Sequence, residues 1–154
     1  MSARSAIPEA YVAKLKEVLV GHSGFNTNIY DNVYSKVMHF KDIQNFPTVT
    51  VTPGPEQRQD MPSNFTLCNL EVAVRIYVSD QDDSQGKLET IIGDLEKFFD
   101  NNLNIEYNLS NSTGTLTTRR TISNTILSIT TDEGILAPLG VGEILLSVEY
   151  EKIR

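Results

Sequence analysis

Thr121-Ile122-Ser123-Asn124-Thr125-Ile126-Leu127-Ser128-Ile129-Thr130-Thr131 and Glu143-Ile144-Leu145-Leu146-Ser147-Val148-Glu149-Tyr150-Glu151-Lys152-Ile153 are the two stretches that decide the fold. Both are rich in strand-forming residues. In the second, Ile144, Leu146, Val148 and Tyr150 share one parity while Ser147, Glu149 and Glu151 share the other. That alternation predicts a strand with one face on a core and one toward water or a partner. Between the two runs lie Asp132-Glu133-Gly134, then Pro138, Gly140 and Gly142, where the chain must change direction. The pair therefore reads as a closing β-hairpin.

Working back toward the N-terminus, Leu67–Ser79 is the other strong strand signal. Cys68, Leu70, Val72, Val74, Ile76 and Val78 fall on one parity, and a mixed set (Asn69, Glu71, Ala73, Arg75, Tyr77) on the other. Pro47–Thr52 predicts a further strand, ended by Pro53-Gly54-Pro55. The polar run Glu56-Gln57-Arg58-Gln59-Asp60-Met61-Pro62-Ser63-Asn64 then reads as a long connection, either a partner-binding arm or a solvated hairpin tip. Leu103–Leu109 predicts a short strand and Ser110–Thr118 a loop. Arg119-Arg120 is read as the opening of the penultimate strand.

Two helices are expected. Ile7–Val20 carries the apolar stripe Tyr11, Val12, Leu15, Val18 and Leu19, with Pro8 and Glu9 suiting the first turn and Gly21 or Gly24 a stop. The second, about 84–101, puts Leu88, Ile91, Ile92, Leu95, Phe98 and Phe99 on one face and Lys87, Glu89, Asp94, Glu96 and Lys97 on the other. Ile29-Tyr30-Asp31 suggests a short strand, and Lys36–Ile43 a loop or short helical turn. The expected class is α+β: a mixed, mainly antiparallel sheet flanked by these helices, with a long polar β-hairpin arm, in one domain over 1–154.

The residues argue for a structural or interaction protein over an enzyme. His22 and His39 have no spacing that suggests a metal site or a paired base. Asp80-Gln81-Asp82-Asp83-Ser84-Gln85-Gly86 invites a calcium reading, but the sixth and twelfth positions of such a loop fall on Gln85 and Ile91. The acidic residues fit a helix N-cap better. Gly140-Val141-Gly142 lacks the rest of a phosphate loop, and no nucleophile elbow is present. Cys68, the single cysteine, excludes an internal disulfide and reads as a small buried hydrophobe. No catalytic residue, cofactor or metal is expected. No run is long enough to span a membrane, and the N-terminus leads straight into a helical pattern, so a cytoplasmic site of synthesis is expected. Asn64-Phe65-Thr66, Asn108-Leu109-Ser110 and Asn111-Ser112-Thr113 are read as chance glycosylation matches. The net charge of −7 disfavours a nucleic-acid-binding module, which should carry a basic face.

The order helix, strand, strand, helix, strand, strand resembles the tail terminator (tail completion) proteins of long-tailed bacteriophages. The resemblance rests on the Phe46-Pro47-x-Val49-x-Val51 strand, the polar run, the long strand, the amphipathic helix, and the closing Asp132-x-Gly134, Pro138-x-Gly140 and Leu145–Tyr150 segments. It implies a homo-oligomeric ring, typically of six, on the head-proximal end of the tail tube. Such a ring stops tube polymerisation, presents a surface to head-completion or neck proteins, and lets DNA pass through its channel. It also implies a place in the virion after assembly in the host cytoplasm. A negatively lined channel would not hold phosphates, which agrees with the acidic composition. Glu56, Gln57, Arg58, Gln59, Asp60 and the pair Arg119 and Arg120 are the candidate subunit or tube contacts. The alternatives are a head-completion or neck connector protein and, from another class, a small cytoplasmic enzyme or ligand-binding domain.

Overall fold

A computed structural model describes residues 2–17, 24–27, 29 and 32–153. The elements in chain order are α1 (Ala3–Leu15), β1 (Val33–Tyr34), a short 3-10 turn (Phe40–Asp42), β2 (Thr48–Met61) and β3 (Phe65–Ser79). They are followed by α2 (Ser84–Asn101), β4 (Glu106–Ser110), β5 (Leu116–Arg120), β6 (Ser123–Thr131) and β7 (Leu139–Ile153). Five strands form one sheet in the order β1-β2-β3-β7-β6, antiparallel except for the β1–β2 pair. β4 and β5 make a separate antiparallel hairpin. The α+β class and the mainly antiparallel mixed sheet are as the sequence predicts.

The core lies between one face of this sheet and the two helices. Cys68, Leu70, Val72, Val74, Ile76 and Val78 of β3 are all fully buried, as are Ile144, Leu146 and Val148 of β7. All six predicted apolar residues of α2 are at most 3% exposed. Each such side chain contributes about 1.5–3 kcal/mol of burial. The close seating of α2 needs glycine on the strand beneath it. A Cβ on Gly142 would stand 3.0 Å from Leu88 Cδ1; one on Gly140 would instead meet the neighbouring strand, 2.8 Å from Val78 Cγ2. At the start of α2 the Asp83 carboxylate accepts the Gly86 N–H at 2.9 Å, and Asp80 accepts the N–H groups of Asp82 and Asp83. These acidic residues are thus spent on backbone capping, as their sequence suggests. The same two N–H groups hold the Asp80 carboxyl below its ordinary range.

Several expectations are corrected. α1 begins at Ala3, so Pro8 and Glu9 lie past its first turn, and the stripe is Ile7, Tyr11 and Leu15, each fully buried, with Val12 half-buried. Val18, Leu19, Gly21 and His22, together with Tyr30 and Asp31, lie outside the described residues. Among the described residues the first strand is Val33–Tyr34, and Lys36–Ile43 holds the 3-10 turn. Glu56–Met61 is not a connection. β2 runs on past Pro53 and Pro55 through a register shift, and its residues pair with β3 up to Met61 opposite Phe65. The turn is Pro62-Ser63-Asn64, with Ser63 and Asn64 at φ 71° and 67°. β7 flanks β3 along the same length, so this end is an extension of the sheet. Ser110–Thr118 is not wholly a loop, because β5 starts at Leu116, and Arg119 and Arg120 end β5 instead of opening β6. Asp94, placed by periodicity on the polar face of α2, is 2% exposed. Its carboxylate accepts the Asn26 N–H at 3.1 Å and the Thr27 hydroxyl, pinning the segment before β1 onto the helix.

Candidate functional site

The second face of the sheet is where interaction chemistry is available. Residues directly opposite each other in an antiparallel pair share a face. Register therefore places Asn69 beside Glu149, Glu71 beside Ser147, Arg75 beside Glu143 and Leu67 beside Glu151. Ser123 and Thr125 of β6 continue this face next to Glu149 and Ser147. At one end the segment before β2 covers it. Phe40 packs edge-on against Tyr77 with centroids 5.1 Å apart, the Tyr77 hydroxyl donates to Met38 O at 3.2 Å, and Thr48 donates to Asn45 O. Over the rest, four carboxylates (Glu71, Glu143, Glu149, Glu151) face one guanidinium, Arg75, which pairs with Glu143 at 2.9 Å. The face is mixed: Ala73 stands beside Leu145 at its centre, Thr50 and Thr52 are buried, and its charged residues carry a negative excess.

The predicted contact residues fall into two separate places. Glu56 lies opposite Leu70 on the core side, with only 5% of its side chain exposed. Its carboxylate accepts the Tyr150 hydroxyl and the Arg58 Nε–H, with Arg4 Nη1 at 4.0 Å. Burial, reinforced by this carboxylate, holds Tyr150 protonated far above the ordinary phenol range, and the Glu56 contact raises Arg58 further. Burial likewise pushes up the Cys68 thiol beside them. Gln57 and Gln59 belong to the other face, opposite Asn69 and Leu67. Asp60 accepts the Thr66 hydroxyl at 2.9 Å.

Arg119 and Arg120 are elsewhere. Arg120 donates to Glu106 Oε1 at 2.8 Å and to Asn104 Oδ1, closing the base of the β4–β5 hairpin, while Arg119 stands opposite Tyr107. α1 separates the two groups: its first turn borders the cavity that holds Arg58, and Lys14 near its end borders the concavity that holds Arg120. The sequence points to β4, within Leu103–Leu109, but not to its partner β5. Tyr107 is buried against Tyr150, but all five residues of β5 are exposed, so no apolar alternation announces that strand.

Among the described residues no group of three His, Cys, Asp or Glu side chains comes together as a metal set. His39 is exposed. Cys68 is fully buried, its thiol turned to Thr66 O at 3.8 Å. Among the described residues no helix is long and apolar enough to cross a membrane.

Among the described residues the arrangement is a five-stranded sheet with two helices on one face and a separate two-stranded hairpin, a binding surface and not a catalytic cleft. The chain belongs to the bacteriophage tail tube terminator proteins, the family whose profile, described as Bacteriophage Tail Tube Terminator Protein, matches residues 1–154. It is 32% identical over 156 residues to the tail tube terminator protein p142 of Escherichia phage T5, covering 100% of this chain and 97% of that protein. Its fold is similar to that of a chain in the virion of a native gene transfer agent particle, with a TM-score of 0.59 and 13% identity, covering 99% of this chain and 100% of that one. The protein is a structural component of a phage tail.

Proposed function

We propose that the chain forms a ring of six copies on the head-proximal end of the tail tube, ends tube polymerisation, and offers its opposite surface to head-completion or neck proteins. The observation that carries this reading is the match to the terminator family over the whole chain. The architecture supports it physically. Among the described residues β1 pairs with β2 at Val49 and Thr50, and β6 forms the other end of the sheet. A subunit whose sheet ends in two different strands suits head-to-tail association, in which ring closure removes unpaired ends.

The open sheet face is proposed to line the channel. Its carboxylate excess would repel DNA phosphates and let the duplex slide without binding. Gln57, Arg58, Gln59 and Asp60 at the extended end of the sheet, and Arg119 on the hairpin, remain the proposed contacts to neighbouring subunits or tube. Glu56 and Arg120 act through them, by holding Arg58 and the hairpin base. The test is tube assembly in the presence of the purified chain. Tubes should stop growing at one end, with extra density on that end only. Tubes that elongate at the same rate and show bare ends would overturn the proposal.

A further inference from the structure

One cavity of about 250 Å³ differs in character from the rest of the surface. It lies where the first turn of α1, the extended end of β2, the end of β4 and the end of β7 converge. Its floor is apolar, made by Leu109, Ala3 and the ring of Tyr150. Around it stand Arg4, Arg58 and Lys152, three of the 13 Lys and Arg side chains in a chain of net charge −7, and no carboxylate side chain of the described residues lines it. Glu56, beneath Tyr150, offsets one of the three charges and leaves a local excess of cation.

Two of the cations are held in place from behind. Arg4 Nη2 donates to Gly54 O at 2.8 Å, and Arg58 is held through Nε by Glu56. A guanidinium has five N–H donors, so each retains donors beyond those bonds. The Lys152 side chain is exposed and makes no hydrogen bond or ion pair among the described residues. Fixed guanidinium groups beside an apolar floor bind a carboxylate with little ordering cost, and they favour a segment whose acidic residue sits next to an apolar one.

We propose that this cavity is the docking pocket for an acidic segment with an apolar side chain, supplied by the protein of the adjoining ring in the tail. The proposal rests on the terminator reading above and names the chemistry of one of its contacts. In virions, a photo-crosslinking benzoylphenylalanine in place of Ser2, which lines the cavity, should join the chain to a peptide of another virion protein, identified by mass spectrometry. That peptide should carry at least two Asp or Glu residues beside an apolar one. Lys152→Glu, at an exposed position, should keep the native melting temperature yet lower the yield of joined particles at least tenfold. Adducts only to a second copy of this chain, adducts to peptides without carboxylates, or unchanged joining by Lys152→Glu would each overturn the proposal. Absence of wild-type chain from tail ends would instead overturn the terminator reading itself.

Discussion

The Asp94 carboxylate sits in an otherwise apolar arc of α2, between Ile91, Ile92 and Leu95, and survives there because it is answered by Asn26 and Thr27. Removing it takes away the charged acceptor of the Asn26 N–H and the Thr27 hydroxyl. Asp94→Ala should therefore lower unfolding free energy by about 1.5–3 kcal/mol, read from urea denaturation. Nothing in the helical period marks this residue, since a charge at that position normally faces water. Its partners lie 67 and 68 residues away along the chain, and tertiary contact alone reveals them. Tyr11 is the opposite case, a core position that the periodicity names directly. Burial raises its phenol to about 12, with the Asn124 amide pulling partly the other way. The unfolded chain ionises near pH 10. Above that pH the unfolded state sheds a proton that the native state keeps, so this contribution is intact below pH 10 and is lost as pH rises toward 12. Wild type should lose on the order of 2 kcal/mol more than Tyr11→Phe between pH 9 and 12, measured by denaturant titration at each pH.

Among the elements, α2, β3 and β7 were legible because their apolar periods are long and unbroken. β2 was read too short. Pro53 and Pro55 look like a terminus, but an edge strand tolerates proline where the missing N–H faces outward, and the register shift there absorbs the misfit. The β4–β5 hairpin was half-seen: β4 buries Tyr107, whereas β5 buries nothing and carries no signal of its own. α1 was displaced because proline at position 8 was taken as a start, although it lies in the second turn. Two glycines contrast a packed strand position with an open helical one. Gly140→Ala drives a methyl to 2.8 Å from Val78 and should cost about 1–3 kcal/mol. Gly93→Ala, inside α2 with nothing within 4 Å, should gain about 0.5–1 kcal/mol. Thermal melts of the two variants should therefore shift in opposite directions.

For the molecule as a whole, the sequence carried the class more surely than the contacts. Family membership was legible in the order of elements, and the comparisons bear it out over the full chain. The contact residues were chosen for polarity and proximity along the chain, and that criterion cannot separate faces. Glu56 and Arg58 turn to the core side while Gln57 and Gln59 turn to the other, because strand parity splits consecutive residues. The acidic open face was equally hidden, since it is assembled from β3 and β7, which lie far apart in sequence, through a register that only the folded sheet fixes.

The central claim is that identical copies of this subunit close into a ring. Light scattering on the purified chain, with negative-stain images of the same sample, tests it most directly. The account predicts closed rings with a mass about six times the 17.2 kDa of one chain, either alone or once tail tube is added as a template. A chain that stays monomeric in solution and also on tube ends would contradict it.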